Sequence, residues 1–93
     1  MALLTRFQRR CLEALDELLE HEAASLTTRE VVSNGECLVH ATVEGRDLEI
    51  WIYDDEAEFQ VGGRGRHYES VVFRNEAERI SSFIADLQRE LHR

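Results

Sequence analysis

Three short turn signals divide residues 28–62 into four segments in which apolar and polar side chains alternate. The signals are Asn34-Gly35, Glu44-Gly45 and Asp55-Glu56. Asn-Gly between two apolar segments is the strongest short-range indication of a β-hairpin. A two-residue loop at each signal fixes the pairing of the strands beside it, so the three registers can be compared. The expected pairs are Val32–Cys37, Cys37–Ile52, Val39–Ile50, Ala41–Leu48, Ile52–Phe59 and Ile50–Val61.

All of these pairs fall on one face of the sheet, because alternate residues of a strand point to the same side. Since three separate turns place the same apolar residues together, we predict a four-stranded antiparallel meander over residues 28–62. One residue does not fit this pattern. Glu30 falls on the apolar face, and we expect it at an edge of the sheet, where an inward-facing charge opposes aggregation.

Apolar residues at spacings of three and four predict a helix on each side of this sheet segment. Over residues 3–24 the apolar stripe consists of Leu4, Phe7, Cys11, Leu15 and Leu18. Within that helix, Thr5 and Gln8 have the spacing of a capping box. The second helix is expected to begin after Asn75, with Glu78 at the capping-box position. Its apolar stripe consists of Ala77, Ile80, Phe83, Ile84, Leu87 and Leu91.

The segment between the meander and the second helix is less regular. Residues 62–66, GGRGR, predict a flexible basic loop, and residues 67–73, HYESVVF, predict either a short fifth strand or an extended return. Two helix stripes and one apolar sheet face must be buried against one another. We therefore expect a two-layer α+β sandwich of order α-β-β-β-β-α with both helices on one face. A chain of 93 residues is expected to form a single domain over residues 1–93.

The acidic character of the chain narrows the range of its partners. A formal net charge of −8 disfavours direct binding to nucleic acid or to an anionic membrane and favours a basic partner. No segment contains the ~20 apolar residues of a membrane span, and charges interrupt the N-terminal apolar run, unlike a signal peptide. Cys11 and Cys37 lie in apolar patterns. We expect them to be free buried thiols rather than a disulfide, in a cytoplasmic protein.

The alternation also assigns residues to the second face of the sheet. The residues expected there are Val31, Leu38, Trp51 and Gln60 in a row, His40 opposite Glu49, and Tyr53 between Glu36 and Glu58. Three arrangements of the single tryptophan are open. Residues 64–73 could fold back so that Tyr68, Val71 or Phe73 covers it, the face could bind another protein, or two copies of the chain could bury it in a homodimer.

No set of residues in the sequence has the spacing of a known metal or catalytic site. The four acids between residues 54 and 58 lack the spacing and the glycine of a calcium loop, which favours a solvated turn. Cys37 and His40 are three residues apart on a predicted strand, so they lie on opposite faces and cannot share a metal. No nucleophile has an evident activating neighbour. We therefore expect no metal, no cofactor and no enzyme activity.

The glycine-rich segment lacks the spacings of the dinucleotide-binding and P-loop motifs. Its backbone amides at Gly63 and its neighbours, together with Arg64 and Arg66, could still bind an anion. A mobile loop with no ligand is the alternative.

In size, acidity and open sheet face, the chain resembles several kinds of small bacterial or phage protein that act by occupying a partner. Toxin-immunity proteins, secretion chaperones and phage-encoded inhibitors are examples. The resemblance is one of composition and assigns no role to any residue.

Our hypothesis is a non-enzymatic inhibitor, immunity protein or adaptor that binds a basic protein surface. Trp51, Tyr53 and Leu38 would form the contact, and acidic side chains around them would attract the partner. These acids are Glu36, Glu49, Asp54, Asp55, Glu56 and Glu58. The alternatives are a homodimeric structural domain and a small anion-binding domain that uses residues 62–66.

Overall fold

The computed structural model describes residues 4–22, 24–31, 35–68 and 73–93, without the side chains of residues 25–29 and 31. These ranges contain two helices and one antiparallel sheet with the strand order β1-β2-β3-β4-β5. The elements are α1 Arg6–His21, β1 Ser25–Val31, β2 Cys37–Val43, β3 Arg46–Ile52, β4 Ala57–Val61, β5 Arg64–Tyr68 and α2 Glu76–Leu91. The predicted antiparallel meander between two helices is confirmed, and it has a fifth strand.

Both helices pack on one face of the sheet and form a single core with it, as expected for a two-layer α+β domain. The sheet contributes alternate residues of β2, β3 and β4 to this core, since apolar residues at every second position share a face. Leu48, Ile50 and Ile52 on β3 are each 1% exposed or less. From the helices, Leu15 and Phe83 are fully buried against them.

Side-chain caps fix the first residue of each helix. The Thr5 hydroxyl accepts a bond from the Gln8 backbone, and the Gln8 amide oxygen accepts a bond from Thr5 N–H at 2.8 Å. The predicted capping box is therefore confirmed, and α1 begins at Arg6 rather than at residue 3. Asn75 caps α2 by accepting a 2.8 Å bond from the Glu78 backbone.

The two helices run in the same direction, as shown by side-chain contacts that join the two N-termini and the two C-termini. Near their N-termini, Arg6 and Arg10 contact Glu76 at 3.1 and 3.3 Å. The hydrogen bond from Arg6, with the positive charges of both arginines, lowers the pKa of the Glu76 carboxyl. Near their C-termini, His92 lies 2.8 Å from Glu22. Glu76 thus compensates for the arginines in the first two turns of α1, which oppose the helix dipole.

The register between β2 and β3 is the predicted one, with Cys37 opposite Ile52 and Val39 opposite Ile50. The predicted register between β3 and β4 is wrong by two residues, because Ile52 lies opposite Ala57 and not Phe59. The turn is centred on residues 54–55 and is closed by a 2.8 Å bond from Tyr53 N–H to the Glu56 carbonyl. This register brings Ala57 into the core, where it is fully buried. A slip of two residues keeps every side chain on its predicted face.

The predicted register between β1 and β2 is wrong by one residue, which moves side chains to the other face. Val31, not Val32, lies opposite Cys37; Val32 itself lies outside the described residues. Glu30 pairs with Leu38 and is exposed. The prediction placed Glu30 on the apolar face, and the observed register removes its charge from the core, where burial would be costly.

Residues 62–66 are not the flexible loop expected from their composition. Gly62 and Gly63 have φ angles of 55° and 89°, a left-handed conformation that suits a tight hairpin turn. The chain then returns as β5, with Val61 opposite Arg64 and Phe59 opposite Arg66. The fifth strand therefore covers residues 64–66 of the predicted loop and only the first two residues of the segment 67–73, where a short strand or an extended return was expected. Residues 69–72 of that segment lie outside the described residues.

Candidate protein-binding face

The sheet has a second face, turned away from both helices, which we call the open face. Its central row crosses all five strands: Glu30, Leu38, Trp51, Glu58 and His67. The sequence predicted Leu38 and Trp51 in this row. The sequence also predicted Val31 and Gln60 at the two ends of the row. Both predictions are wrong, because β1 and β4 pair in registers other than the predicted ones. Val31 lies opposite Cys37, and Gln60 lies opposite Glu49 in the next row.

Trp51 lies at the centre of the open face and is partly exposed. Beside it the surface forms a depression of about 220 Å³. The residues that line it include Trp51, Leu38, His40, Glu30 and Glu49. The predicted pair of His40 and Glu49 is confirmed. An aromatic side chain beside a shallow cavity with a polar rim has the composition of a protein-interface core.

The aromatic residues that could have covered Trp51 lie on the helix side of the sheet. Tyr68 is 2% exposed, and its ring stacks on Phe59 and Phe73 with centroid distances of 6.0 Å. Its hydroxyl donates a 2.7 Å hydrogen bond to Asp86 on α2. Tyr68 and Phe73 therefore do not cover the tryptophan. Val71, the third residue considered, lies outside the described residues.

Charge is separated between the two sides of the sheet. The acids that β1 to β4 place on the open face are Glu30, Asp47, Glu49 and Glu58. Arg46, Arg64 and Arg66 lie opposite Val43, Val61 and Phe59 and share the helix side with them. Among the strand residues whose side chains are described, the open face thus carries acids and no arginine.

Tyr53, Glu58, His67 and Glu56 form a small cluster at one end of the open face. The Tyr53 hydroxyl donates a 2.7 Å bond to Glu58, and its ring stacks on His67 at 5.8 Å. His67 in turn lies 3.3 Å from Glu56. Burial, the hydrogen bond to Glu58 and the nearby carboxylate charges, that of Glu36 among them, raise the pKa of Tyr53 to about 12. The phenol is therefore neutral at physiological pH and its ring is held in place.

The remaining predicted contact residues lie at the edge of this face. Asp54 and Asp55 are exposed in the β3–β4 turn, and the Asp54 carbonyl accepts a 2.8 Å bond from the Thr5 hydroxyl. Glu36 is partly buried just before β2. Sequence reasoning missed Glu30 and His67 as members of the central row. The sequence did contain a signal for Glu30, because its predicted position on the apolar face was unfavourable. A change of one residue in the register moves Glu30 to the open face.

Gly63, Arg64 and Arg66, predicted to bind an anion as a loop, lie in the β4–β5 turn and strand. Both arginines reach across the helix side of the sheet to α2. Arg64 lies 4.0 Å from Glu90, and Arg66 lies 3.3 Å from Asp86. The two glycines form the hairpin turn, and the positive charge belongs to a larger cluster that includes α2.

The described residues do not bring metal-ligating side chains together. No group of three or more His, Cys, Asp or Glu side chains converges within residues 4–22, 24–31, 35–68 and 73–93. Cys11 and Cys37 are buried and unbridged. Burial, together with the neighbouring Cys37, raises the pKa of the Cys11 thiol to about 12, which leaves it protonated and a poor nucleophile. None of the described helices has the length and apolar content required to cross a membrane.

Comparisons of the chain with known protein families, characterised proteins and solved structures found no match.

Proposed function

We propose that this chain is a non-enzymatic protein-binding module that acts as an inhibitor, immunity protein or adaptor in the cytoplasm. Its open face would bind a basic protein surface. The observation that carries the proposal is the position of Trp51, partly exposed at the centre of a five-stranded sheet whose open face bears acids and no described arginine.

Trp51 supports the proposal as an anchor for a partner. Tryptophan is enriched among the few interface residues that dominate binding energy, because its ring offers a large rigid surface. It lies beside Leu38 on the same face, and the depression next to them offers a place for a partner side chain. Truncation of such an anchor costs ~2–4 kcal/mol of binding free energy.

The acids support the choice of a basic partner. Glu30, Glu49 and Glu58 surround Trp51 within one or two strands, and their negative potential would attract arginine and lysine side chains and accelerate association. The same acids disfavour a homodimer through this face. A two-fold interface would place the acidic rim of one copy against that of the other, and like charges brought together oppose binding.

The proposal is tested by capture of partners from an extract of the source organism, with identification by mass spectrometry. The bait variants are Trp51→Ala and a triple variant in which Glu30, Glu49 and Glu58 become Gln. A matched control changes three exposed acids of α1, Glu13, Glu17 and Glu20, to Gln. Both triple variants have a formal net charge of −5 instead of −8, so only the position of the lost charge differs.

We expect a basic protein that the wild type and the α1 control retain and that both open-face variants lose. With that protein purified, higher salt and the open-face triple variant should slow association, whereas Trp51→Ala should mainly accelerate dissociation. The proposal is wrong if partners bind Trp51→Ala as well as the wild type. It is also wrong if both triple variants weaken capture equally, or if dilute wild-type protein is a dimer that Trp51→Ala converts to a monomer.

A further inference from the structure

An arginine cluster lies on the helix side of the sheet, at the end where α2 finishes. We define it by its five members, Arg46, Arg64, Arg66, Arg89 and Arg93. They come from the start of β3, from β5, from the last turn of α2 and from the residue after its C-cap. Together they line two adjoining cavities of about 260 and 380 Å³, which share Arg64, Glu90 and Arg93.

The cluster has more positive charge than its own carboxylates neutralise. Asp86 and Glu90 are the acids that line the same cavities, so five arginines and two carboxylates give a local side-chain charge of +3. The chain as a whole carries −8. Both carboxylates are already engaged: Asp86 accepts bonds from Tyr68 at 2.7 Å and from Arg89 at 3.0 Å, and Glu90 accepts from Arg93 at 2.9 Å.

The guanidinium groups keep hydrogen-bonding capacity after these contacts. The bonds described for Arg66, Arg89 and Arg93 all use Nη1, and a guanidinium has five N–H donors. Arg64 is 4.0 Å from Glu90, which is beyond hydrogen-bonding distance. The side chains of these four arginines are 63–73% exposed, so a ligand from solvent can reach them.

The C-terminus of a helix carries partial negative charge and repels anions. Arg46 offsets this charge at the end of α2. Its guanidinium donates to the carbonyls of Glu90 and Leu91 at 3.0 and 3.2 Å and to that of Arg93. Three carbonyls at the end of α2 are thereby satisfied, and a positive charge is fixed in place at the helix C-terminus. The site is therefore positive where an isolated helix end would be negative.

We propose that the arginine cluster binds a small anion with two or more negative charges, of the phosphate or diphosphate class. Arginine forks match phosphate oxygens in pairs, and such charge-assisted bonds are among the strongest in proteins. The cavities are at or below the small end of the range for ligand sites, which fits a diphosphate group rather than a large ligand. A nucleic acid would meet the repulsion of the whole acidic chain, whereas a small anion responds mainly to the charges beside it. This proposal does not depend on the function of the open face.

Titration of the 15N-labelled protein with inorganic pyrophosphate, followed by NMR and calorimetry, tests the proposal. We expect saturable shifts centred on residue 46 and on residues 62–66 and 86–93. A double variant, Arg64→Gln with Arg93→Gln, should weaken binding about tenfold or more, since each removes charge-assisted bonds. The matched control, Arg9→Gln with Arg74→Gln, removes the same charge from exposed positions elsewhere and should change affinity less than about twofold.

Each of three results would overturn the inference: no saturable binding of pyrophosphate, equal weakening in the control, or tighter binding of a short phosphorylated oligonucleotide than of pyrophosphate. If the double variant does not fold, Arg64→Gln alone decides the question. Its side chain is 64% exposed and has its carboxylate partner at 4.0 Å, so its loss leaves the packing of α2 intact. Arg64→Gln should still weaken pyrophosphate binding, and unchanged affinity contradicts the proposal.

Discussion

The hydroxyl of Tyr53 donates a 2.7 Å hydrogen bond to the carboxylate of Glu58. Burial and the surrounding acids raise the pKa of this phenol to about 12. In an unfolded chain the pKa of tyrosine is about 10. The folded protein then binds more protons than the unfolded chain between about pH 10 and 12. Stability supplied by the neutral phenol is fully present below pH ~10 and is lost as the pH rises through 12.

Alkaline titration monitored by tyrosinate absorbance checks this behaviour, because the chain has only two tyrosines. The other is Tyr68, whose pKa is also raised by burial and by its bond to Asp86. We expect almost no tyrosinate before the protein begins to unfold above pH ~10. In Tyr53→Phe the loss of stability over this pH range should be smaller. A native protein in which half of the tyrosine signal titrates near pH ~10 would contradict the assignment.

The acids on the open face should make Trp51 fluorescence depend on the charge of the quencher. Trp51 is the only tryptophan in the chain and is partly exposed. Relative to their quenching of a free, uncharged tryptophan derivative, caesium ions should be more effective on Trp51 and iodide less effective, because the negative potential concentrates cations and excludes anions. Changing Glu30, Glu49 and Glu58 to Gln should reduce this difference, and the α1 triple control should preserve it.

Stern–Volmer slopes measured at constant ionic strength provide the comparison. Equal slopes for caesium and iodide, each divided by its slope on the free tryptophan derivative, would show that the acids do not control access to the ring. Emission that is blue-shifted and resistant to both ions in dilute monomer would show that the ring is covered, and the proposed binding face would lose its anchor.

Substitution of Ile50 should be among the most damaging single changes. Its side chain is 1% exposed and lies opposite Val39 and Phe59 in the core. Ile50→Ala leaves a cavity and should lower the free energy of unfolding by ~2–5 kcal/mol. Gln60→Ala, at an exposed position on the other face, should change it by less than ~0.5 kcal/mol. Urea unfolding measures both values, and a similar loss in the two variants would contradict the assignment of faces.

Gln8 joins the start of α1 to the sheet through a buried amide. Its Nε2 donates to the Gly35 carbonyl at 2.7 Å, and its Oε1 accepts from Thr5 N–H at 2.8 Å. Gln8→Leu removes both bonds and leaves backbone groups unsatisfied, which should cost ~1–3 kcal/mol. Gln88→Leu, an exposed change of the same kind on α2, should be within ~0.5 kcal/mol of the wild type by thermal and urea unfolding. Equal effects would mean that the Gln8 bonds contribute nothing net.

The face of each β2, β3 and β4 residue could be predicted from the sequence, because strand alternation has a period of two. The predicted pairing of Ile50 with Val61, instead of Phe59, is an error of two residues. It left each side chain on its predicted face but changed the neighbours across the strands. An error of one residue moved Glu30 to the wrong side. No local signal marks β5, because four of its five residues are exposed and it shows no apolar alternation.

The arginine cluster could be predicted only in part, because Arg64 and Arg66 stand out in the glycine-rich segment and the other three members do not. Its members are separated by up to 47 positions, as Arg46 and Arg93 show. Arg46, Arg89 and Arg93 each look like an ordinary surface charge in their own segments. Only the packing of α2 against the hairpin of β4 and β5 brings them together. Sequence motifs with fixed spacing reveal sites within one segment. The arginine cluster, by contrast, forms only when the helix layer has packed against the sheet.

The ion pair between Arg6 and Glu76 joins residues 70 positions apart, whereas every strand of the sheet pairs with its neighbour in sequence. Local hairpins close small loops at little entropic cost, and contacts between distant segments must wait until the intervening chain is ordered. The sheet is therefore expected to assemble first, with the junction of the two helices as the last part of the structure to form. Interactions made after the transition state act on the rate of unfolding. The contacts of Glu76 with Arg6 and Arg10 would then slow unfolding, and they would have little effect on the rate of folding.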